Sequence, residues 1–151
     1  MLSRRGFVLS AAGLVLAGVR APWMHALAGT PITIYKSKTC GCCSKWVDHV
    51  KAAGSTATVH DEEEMDQLKD ELGVPAPVRS CHTALVGGYL IEGHVPTGDI
   101  QRLLAERPKV AGLAVPGMPA GSPGMAEPGK EGDYKVVAFQ STGSTTPFAS
   151  H

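Results

Sequence analysis

Three cysteines within four residues, Cys40, Cys42 and Cys43, are the positions best suited to chemistry. They stand where a β-rich run gives way to helical periodicity, so they are predicted to lie at a helix N-terminus, which stabilises thiolate over thiol. Three crowded thiolates form a soft, anionic donor set that favours monovalent copper. Adjacent cysteines converge poorly on one tetrahedral zinc ion but can bridge different ions. The spacing therefore favours a copper cluster, and three half-buried thiols without a ligand are the alternative.

The elements that must position these cysteines alternate between strand and helix. Their order is predicted to be β-α-β-α-β-β-α, at 32–35, 42–53, 56–60, 61–72, 84–86, 89–91 and 97–107. The second helix has a capping-box-like start, Asp61 with Glu64, and an inward stripe of Met65, Leu68 and Leu72. This is the order of a thioredoxin-like α/β fold, whose first crossover joins parallel strands.

The last third of the chain is rich in Gly, Pro and Met. Residues 115–132 have no periodicity and are too apolar for a free linker, so we expect this loop to fold back onto the domain. Residues 134–139 and 145–149 predict a C-terminal hairpin around Thr142-Gly143, and Pro147 is tolerable on an edge strand.

Further candidate ligands lie far from the cysteine motif in sequence. Cys81 precedes the predicted third strand, and in a thioredoxin-like fold that loop passes beside the cysteine turn. His82 is a candidate ligand or a polar residue at the strand start, and His94 is a candidate that could equally be structural. Met118 and Met125 offer soft thioether sulfurs in a loop, with gap-filling as the alternative.

The N-terminus resembles an export signal. Arg4 and Arg5 precede an apolar run at 6–19, and Ala26-Leu27-Ala28 supplies a cleavage site, so residues 1–28 are predicted to be a twin-arginine-type signal and 29–151 the mature domain. An uncleaved membrane anchor is the alternative, but the run is shorter than a spanning helix needs. The mature protein should therefore be periplasmic, without a stable membrane span.

Composition excludes several classes of protein. The 151 residues contain 14 basic and 14 acidic side chains, so there is no net charge to drive nucleic-acid binding. Four clustered cysteines are too few for a disulfide-stapled mini-protein. Collagen, coiled coils and multi-span membrane proteins are excluded by the residue pattern.

The motifs together resemble a known family. The segments 35–43, 80–83, 92–96 and 115–119 are similar to those of small periplasmic metal-binding proteins, formerly described only as a domain of unknown function, which include the copper-resistance protein CopG. The resemblance implies a thioredoxin-like fold with copper bound by Cys40, Cys42, Cys43 and Cys81. It also makes other periplasmic copper-handling proteins possible partners.

Two functions of different classes remain open from the sequence. One is a periplasmic protein of copper resistance that holds more than one Cu(I) ion and has possible redox activity. The other is a thiol–disulfide oxidoreductase that uses Cys40 and Cys43, with Cys81 as the resolving thiol. A zinc or cadmium binder is a weaker third. Redox activity would make the protein a copper or thiol oxidoreductase, whereas copper storage alone involves no turnover.

Overall fold

The fold is described from a computed structural model, which covers residues 27–127 and 130–151. Its strands are β1 (Pro31–Lys36), β2 (Thr56–Asp61), β3 (His82–Val86), β4 (Tyr89–Glu92), β5 (Gly112–Ala114), β6 (Lys135–Phe139) and β7 (Thr145–Ser150). Its helices are α1 (Gly41–Ala52), α2 (Met65–Leu72) and α3 (Thr97–Glu106), and a 3-10 turn occupies Ala76–Val78. The predicted mixed α/β class and the order β-α-β-α-β-β-α are confirmed.

All seven strands form one sheet in the order β2-β1-β3-β4-β5-β6-β7. β1 pairs in parallel with β2, as a crossover through α1 requires, and antiparallel with β3. β3 and β4 form the predicted hairpin over the Gly87-Gly88 turn. The predicted C-terminal hairpin is also present as β6 and β7, and Pro147 lies on the edge strand β7.

The main core lies between the sheet and helices α1 and α3. Its fully buried side chains include Ile32, Ile34, Trp46, Val50, Ile91, Ile100 and Leu103. The Trp46 indole N–H donates a hydrogen bond to the Val95 carbonyl at 2.9 Å, which joins α1 to the segment before α3. Since burial of one large aliphatic side chain contributes about 1.5–3 kcal/mol, this core can fix the sheet and the two helices.

The predicted start of the second helix is wrong by four residues. Asp61 completes β2 opposite Lys36 and forms an ion pair with its ammonium at 3.1 Å. Glu64 is the N-cap residue of α2, and its side chain makes no capping hydrogen bond. Strand pairing therefore prevails over the capping-box pattern. The predicted stripe is only half-buried, and the buried residue of α2 is Lys69.

Two parts of the C-terminal third bear on the site. The three-residue strand β5 was not predicted, and it pairs with β4 and β6, so the hairpin continues the main sheet. Within the described part of the loop at 115–132, the chain at Gly124 folds back onto the domain, because it lies against the backbone of α1.

The predicted signal falls almost wholly on residues 1–26, which lie outside the described ranges. Leu27 is fully buried in the main core, two residues before the predicted new N-terminus, Gly29. Within the described ranges, no helix is long and apolar enough to cross a membrane.

Candidate metal centre

The N-terminus of α1 positions three of the cysteines. Cys40 is the N-cap residue, with an extended backbone at φ −76°, while Cys42 and Cys43 lie in the first turn. Cys43 is fully buried, whereas Cys40 and Cys42 are half-buried. Cys40 and Cys43 are joined by a disulfide, and the Sγ atoms of Cys40 and Cys42 are 3.5 Å apart.

The pairing of β3 with β1 brings Cys81 to the same place. His82 lies opposite Lys36 in the register, so the residue before it stands beside the turn that leads into α1. The Sγ atom of Cys43 lies 3.9 Å from the Cys81 carbonyl oxygen. The four Sγ atoms all lie within 4.8 Å of one another. Cys81 thus lies beside the other three cysteines, where the element order predicted it.

Two histidines contact the Cys81 sulfur from the buried side. His94 Nε2 is 3.0 Å from Cys81 Sγ, and His82 Nδ1 is 3.3 Å from it. His94 Nδ1 donates to the Pro123 carbonyl at 2.7 Å, which leaves its Nε2 as the lone-pair nitrogen facing sulfur. The His82 ring packs against Trp46, with ring centroids 4.4 Å apart, and its Nε2 is buried without a hydrogen-bond partner among the described residues.

Burial sets the protonation of this group in the metal-free site. It lowers the pKa of His82 well below its usual value, with His94 and Lys69 acting in the same direction, and it also lowers the pKa of His94. Burial, followed by the charge of Cys42, raises the pKa of the Cys81 thiol to about 12. Cys81 is therefore a neutral thiol at pH 7, and it donates to His94 Nε2. A metal that takes this sulfur must displace its proton.

A buried ion pair contacts the residues on either side of Cys81. Glu92 and Lys69 are almost fully buried and form a salt bridge. The Glu92 carboxylate also accepts the Ser80 N–H at 2.7 Å and the Thr83 hydroxyl at 2.7 Å. Burial raises the pKa of Glu92, and the Lys69 ammonium opposes that change.

The loop after β5 covers the site from the other side. A Cβ atom on Gly124 would lie 2.9 Å from the Trp46 backbone nitrogen, 3.0 Å from the Cys42 carbonyl oxygen and 3.3 Å from His94 Nδ1. The predicted ligand Met125 follows directly and is half-buried. The other predicted methionine, Met118, is 43% exposed on a turn nearer β5.

The donor set fits a soft metal ion. Four sulfurs lie within reach of one another. The ring nitrogens of His82 and His94 that contact the Cys81 sulfur can act as further, borderline ligands. Cys40 and Cys43 can act as thiolate ligands only after two electrons reduce their disulfide. The same cysteines can therefore either hold metal or exchange a disulfide.

The structure brings together Cys40, Cys42, Cys43, Cys81, His82 and His94 from the predicted ligand set. The supporting residues Lys69, Glu92, Thr83, Pro123 and Gly124 were not among the predicted site residues. One signal for Lys69 was available, because it lies one turn after Met65 on the predicted inward stripe of α2. Glu92, at the end of an apolar strand, was the matching signal on the sheet.

Comparisons with known proteins find one matching family and similar solved structures. Residues 78–125 match a family described as "Protein of unknown function, DUF411". No curated protein matches the chain. Two solved structures, forms 1 and 2 of a protein described as copper resistance protein CopG, are each 41% identical to it. Each alignment covers 82% of this chain and 98% of the other, with a TM-score of 0.75.

Proposed function

Because this chain belongs to the DUF411 family, which includes the copper-resistance protein CopG, we propose that it is a periplasmic copper-binding protein of copper resistance. In this proposal the reduced cysteines hold more than one Cu(I) ion through bridging sulfurs. The observation that carries it is the approach of four Sγ atoms to within 4.8 Å of one another. Copper is the ion that the site binds, and the cysteine thiols release their protons when it binds.

Charge supports several ions rather than one. Four thiolates would place four negative charges in a half-buried pocket, and uncompensated burial of such charge is prohibitive. The two buried lysines among the described residues, Lys36 and Lys69, are already paired with Asp61 and Glu92. Monovalent ions that share sulfurs neutralise the thiolates, while His82, His94 and Met125 add ligands without adding charge. Met118 completes the proposed set if its exposed turn closes over the copper.

Copper analysis of the reduced protein tests this function. Protein loaded anaerobically with Cu(I) should contain more than one ion per chain. Cys42→Ser and Cys43→Ser should abolish the cluster, since each removes a central bridging sulfur. Cys81→Ser should lower the copper content without unfolding the protein. His94→Asn should weaken binding, and His60→Asn on the exposed strand β2 is its matched control.

Three results would contradict the copper proposal. One copper or one zinc ion per chain would exclude a cluster. Full loading of Cys81→Ser would remove that residue from the site. A His60→Asn variant that loses as much copper as His94→Asn would show that the effect is not local.

The disulfide supports a second function. Cys40 and Cys43 are already oxidised, and the free cysteines Cys42 and Cys81 lie next to them. As an oxidoreductase, the protein would take two electrons from a substrate dithiol, which becomes a disulfide while Cys40–Cys43 becomes two thiols. Metal-free protein should then oxidise a reduced peptide, and Cys43→Ser should not. Failure of wild-type protein to do so would exclude this function.

Export to the periplasm is part of the first proposal. Replacement of Arg4 and Arg5 by Lys should leave the precursor in the cytoplasm, because a twin-arginine signal requires both side chains. Cell fractionation measures this, with Arg20→Lys, directly after the apolar run of the predicted signal, as the matched control. Unimpeded export of the paired variant would indicate a general secretory signal instead. Periplasmic copper-handling proteins are then the proposed partners.

A further inference from the structure

We propose that the buried Lys69–Glu92 pair is a positioning device that holds Cys81 at the other three cysteines. The inference rests on the proposed function for its copper consequence only. Its geometric part, the placement of the Cys81 thiol, can be measured without metal.

The Glu92 side chain accepts hydrogen bonds from residues on both sides of Cys81. One carboxylate oxygen accepts the backbone N–H of Ser80, immediately before Cys81, at 2.7 Å. The other accepts the hydroxyl of Thr83, two residues after it, at 2.7 Å. The four-residue segment 80–83 is therefore tied at both ends to one side chain, which β4 fixes in the sheet.

Lys69 completes this arrangement from α2. Its ammonium forms the salt bridge to Glu92 and donates to the Thr83 hydroxyl at 2.9 Å. The side chain of Lys69 is 3% exposed and that of Glu92 is 0% exposed, so neither charge is solvated. The ammonium permits an ionised carboxylate to accept several hydrogen bonds at this depth.

Stability does not explain such a pair. A buried ion pair gives little or no advantage over apolar side chains of similar size, because desolvation offsets the attraction. Two buried charges that contact the residues on either side of Cys81 therefore need another reason. Their hydrogen bonds supply it, because they define where the backbone around Cys81 can lie.

The decisive comparison uses two double variants, in each of which both Lys69 and Glu92 are replaced by uncharged residues. Lys69→Met with Glu92→Leu removes both charges and the two carboxylate oxygens that accept from Ser80 and Thr83. Lys69→Met with Glu92→Gln also removes both charges, but the amide oxygen can still accept from Ser80 while its NH2 group donates to Thr83. We call the first double variant the leucine pair and the second the glutamine pair. If the ion pair positions Cys81, the leucine pair should lose that positioning and the glutamine pair should retain it.

The first measurement follows thiol reactivity in reduced, metal-free protein. Iodoacetamide modifies the cysteines, and mass spectrometry gives the rate at Cys81 relative to Cys42. In the leucine pair we expect this ratio to rise by about fivefold or more, roughly the effect of one lost hydrogen bond on an opening equilibrium. The glutamine pair should stay near the wild-type ratio. Asp70→Asn, which weakens the neighbouring Arg79–Asp70 ion pair on the surface, is the matched control and should change nothing.

The second measurement is Cu(I) affinity in competition with a chromophoric chelator. The leucine pair should bind about tenfold more weakly, while the glutamine pair and Asp70→Asn should match wild type. If wild-type protein binds no copper, the proposed function fails, and the alkylation ratios still decide the positioning role.

Two outcomes would overturn the inference. One is a leucine pair that folds and in which the rate of alkylation at Cys81 relative to Cys42 equals that of the wild-type protein. The other is an equal rise in both pairs, which would assign the effect to charge rather than to the hydrogen bonds. If the leucine pair fails to fold, Thr83→Val replaces it, because that variant removes only the Thr83 anchor. It should raise the ratio by a smaller factor, and an unchanged ratio would refute the role.

Discussion

At the scale of single residues, Gly124 marks the closest approach of the C-terminal loop to the cysteine turn. Its φ of +86° is a conformation that L side chains rarely adopt, and a Cβ atom would meet the backbone of Trp46 and Cys42. Neither contact is with a flexible side chain, so an added methyl group must displace the loop. Met125, the next residue, would move with it.

Gly124→Ala should therefore be more destabilising than the same change at Gly117. Gly117→Ala is the matched control, because Gly117 has φ +78° with nothing within 4 Å of the added atom. The control should lose about 1–2 kcal/mol of unfolding free energy from backbone strain. Gly124→Ala should lose roughly 1–3 kcal/mol more from the steric clash. Urea unfolding of metal-free protein measures both, and equal losses would show that the close approach is absent.

At the scale of secondary structure, one helix satisfies the N-terminus of another. The first residue of α3, Thr97, donates its backbone N–H to Nε2 of His49 on α1 at 3.3 Å. The N-cap of α3 is Pro96, which makes no side-chain capping bond. Burial lowers the pKa of His49, and the neutral imidazole is the form that can accept this hydrogen bond.

The stability contributed by His49 should therefore depend on pH. Its pKa in the folded state lies below the usual 6.5, so the contribution is present above pH 6.5 and is lost as pH falls through the folded value. The slope is at most about 1.4 kcal/mol per pH unit, and less here because the ring is half-exposed. His49→Gln keeps an acceptor without this titration, so its unfolding free energy should fall less between pH 7.5 and 5. Parallel pH profiles for the two proteins would contradict the assignment.

Local patterns predicted the elements well where hydrophobic periodicity and turn residues agreed. β1, α1, the β3–β4 hairpin and the C-terminal hairpin all carry such signals, and the structure contains each of them. β5 has only three residues, too few for alternation to be visible, and it exists because β4 and β6 pair with it. At Asp61 the local capping signal competed with pairing to β1, and the pairing prevailed.

The site could be predicted from the sequence only in part, because some of its contacts join segments that are distant in sequence. Cysteine spacing points to a soft-metal centre, and the element order places Cys81 beside it. The contacts of Glu92, Lys69 and Gly124 depend on where three distant segments meet in the folded chain. No local pattern encodes those distances, so the positioning network emerges only from the three-dimensional structure.

At the scale of the whole molecule, the cysteine cluster adds little to the main core, although His82 beside it is fully buried against Trp46. The main core is built from aliphatic and aromatic side chains of the sheet, α1 and α3, and Cys43 is the one fully buried cysteine. The other three cysteines lie at the margin, half-exposed, where metal and reductant can reach them. Such a division lets the site change its redox and metal state while the sheet remains intact.

Conversion of all four cysteines to Ser should therefore leave a folded protein. Loss of the short Cys40–Cys43 loop closure costs about 2 kcal/mol, and a buried hydroxyl at position 43 costs about 1–3 kcal/mol. A domain of this size typically has about 5–15 kcal/mol of stability, so a weakened but cooperative urea transition is expected. Circular dichroism should retain the mixed α/β spectrum, and Cys42→Ser alone, which alters a free and half-exposed thiol, should be nearly neutral. A random-coil spectrum for the four-serine protein would contradict this separation and would make the cysteine centre structural, as the metal is in a zinc finger.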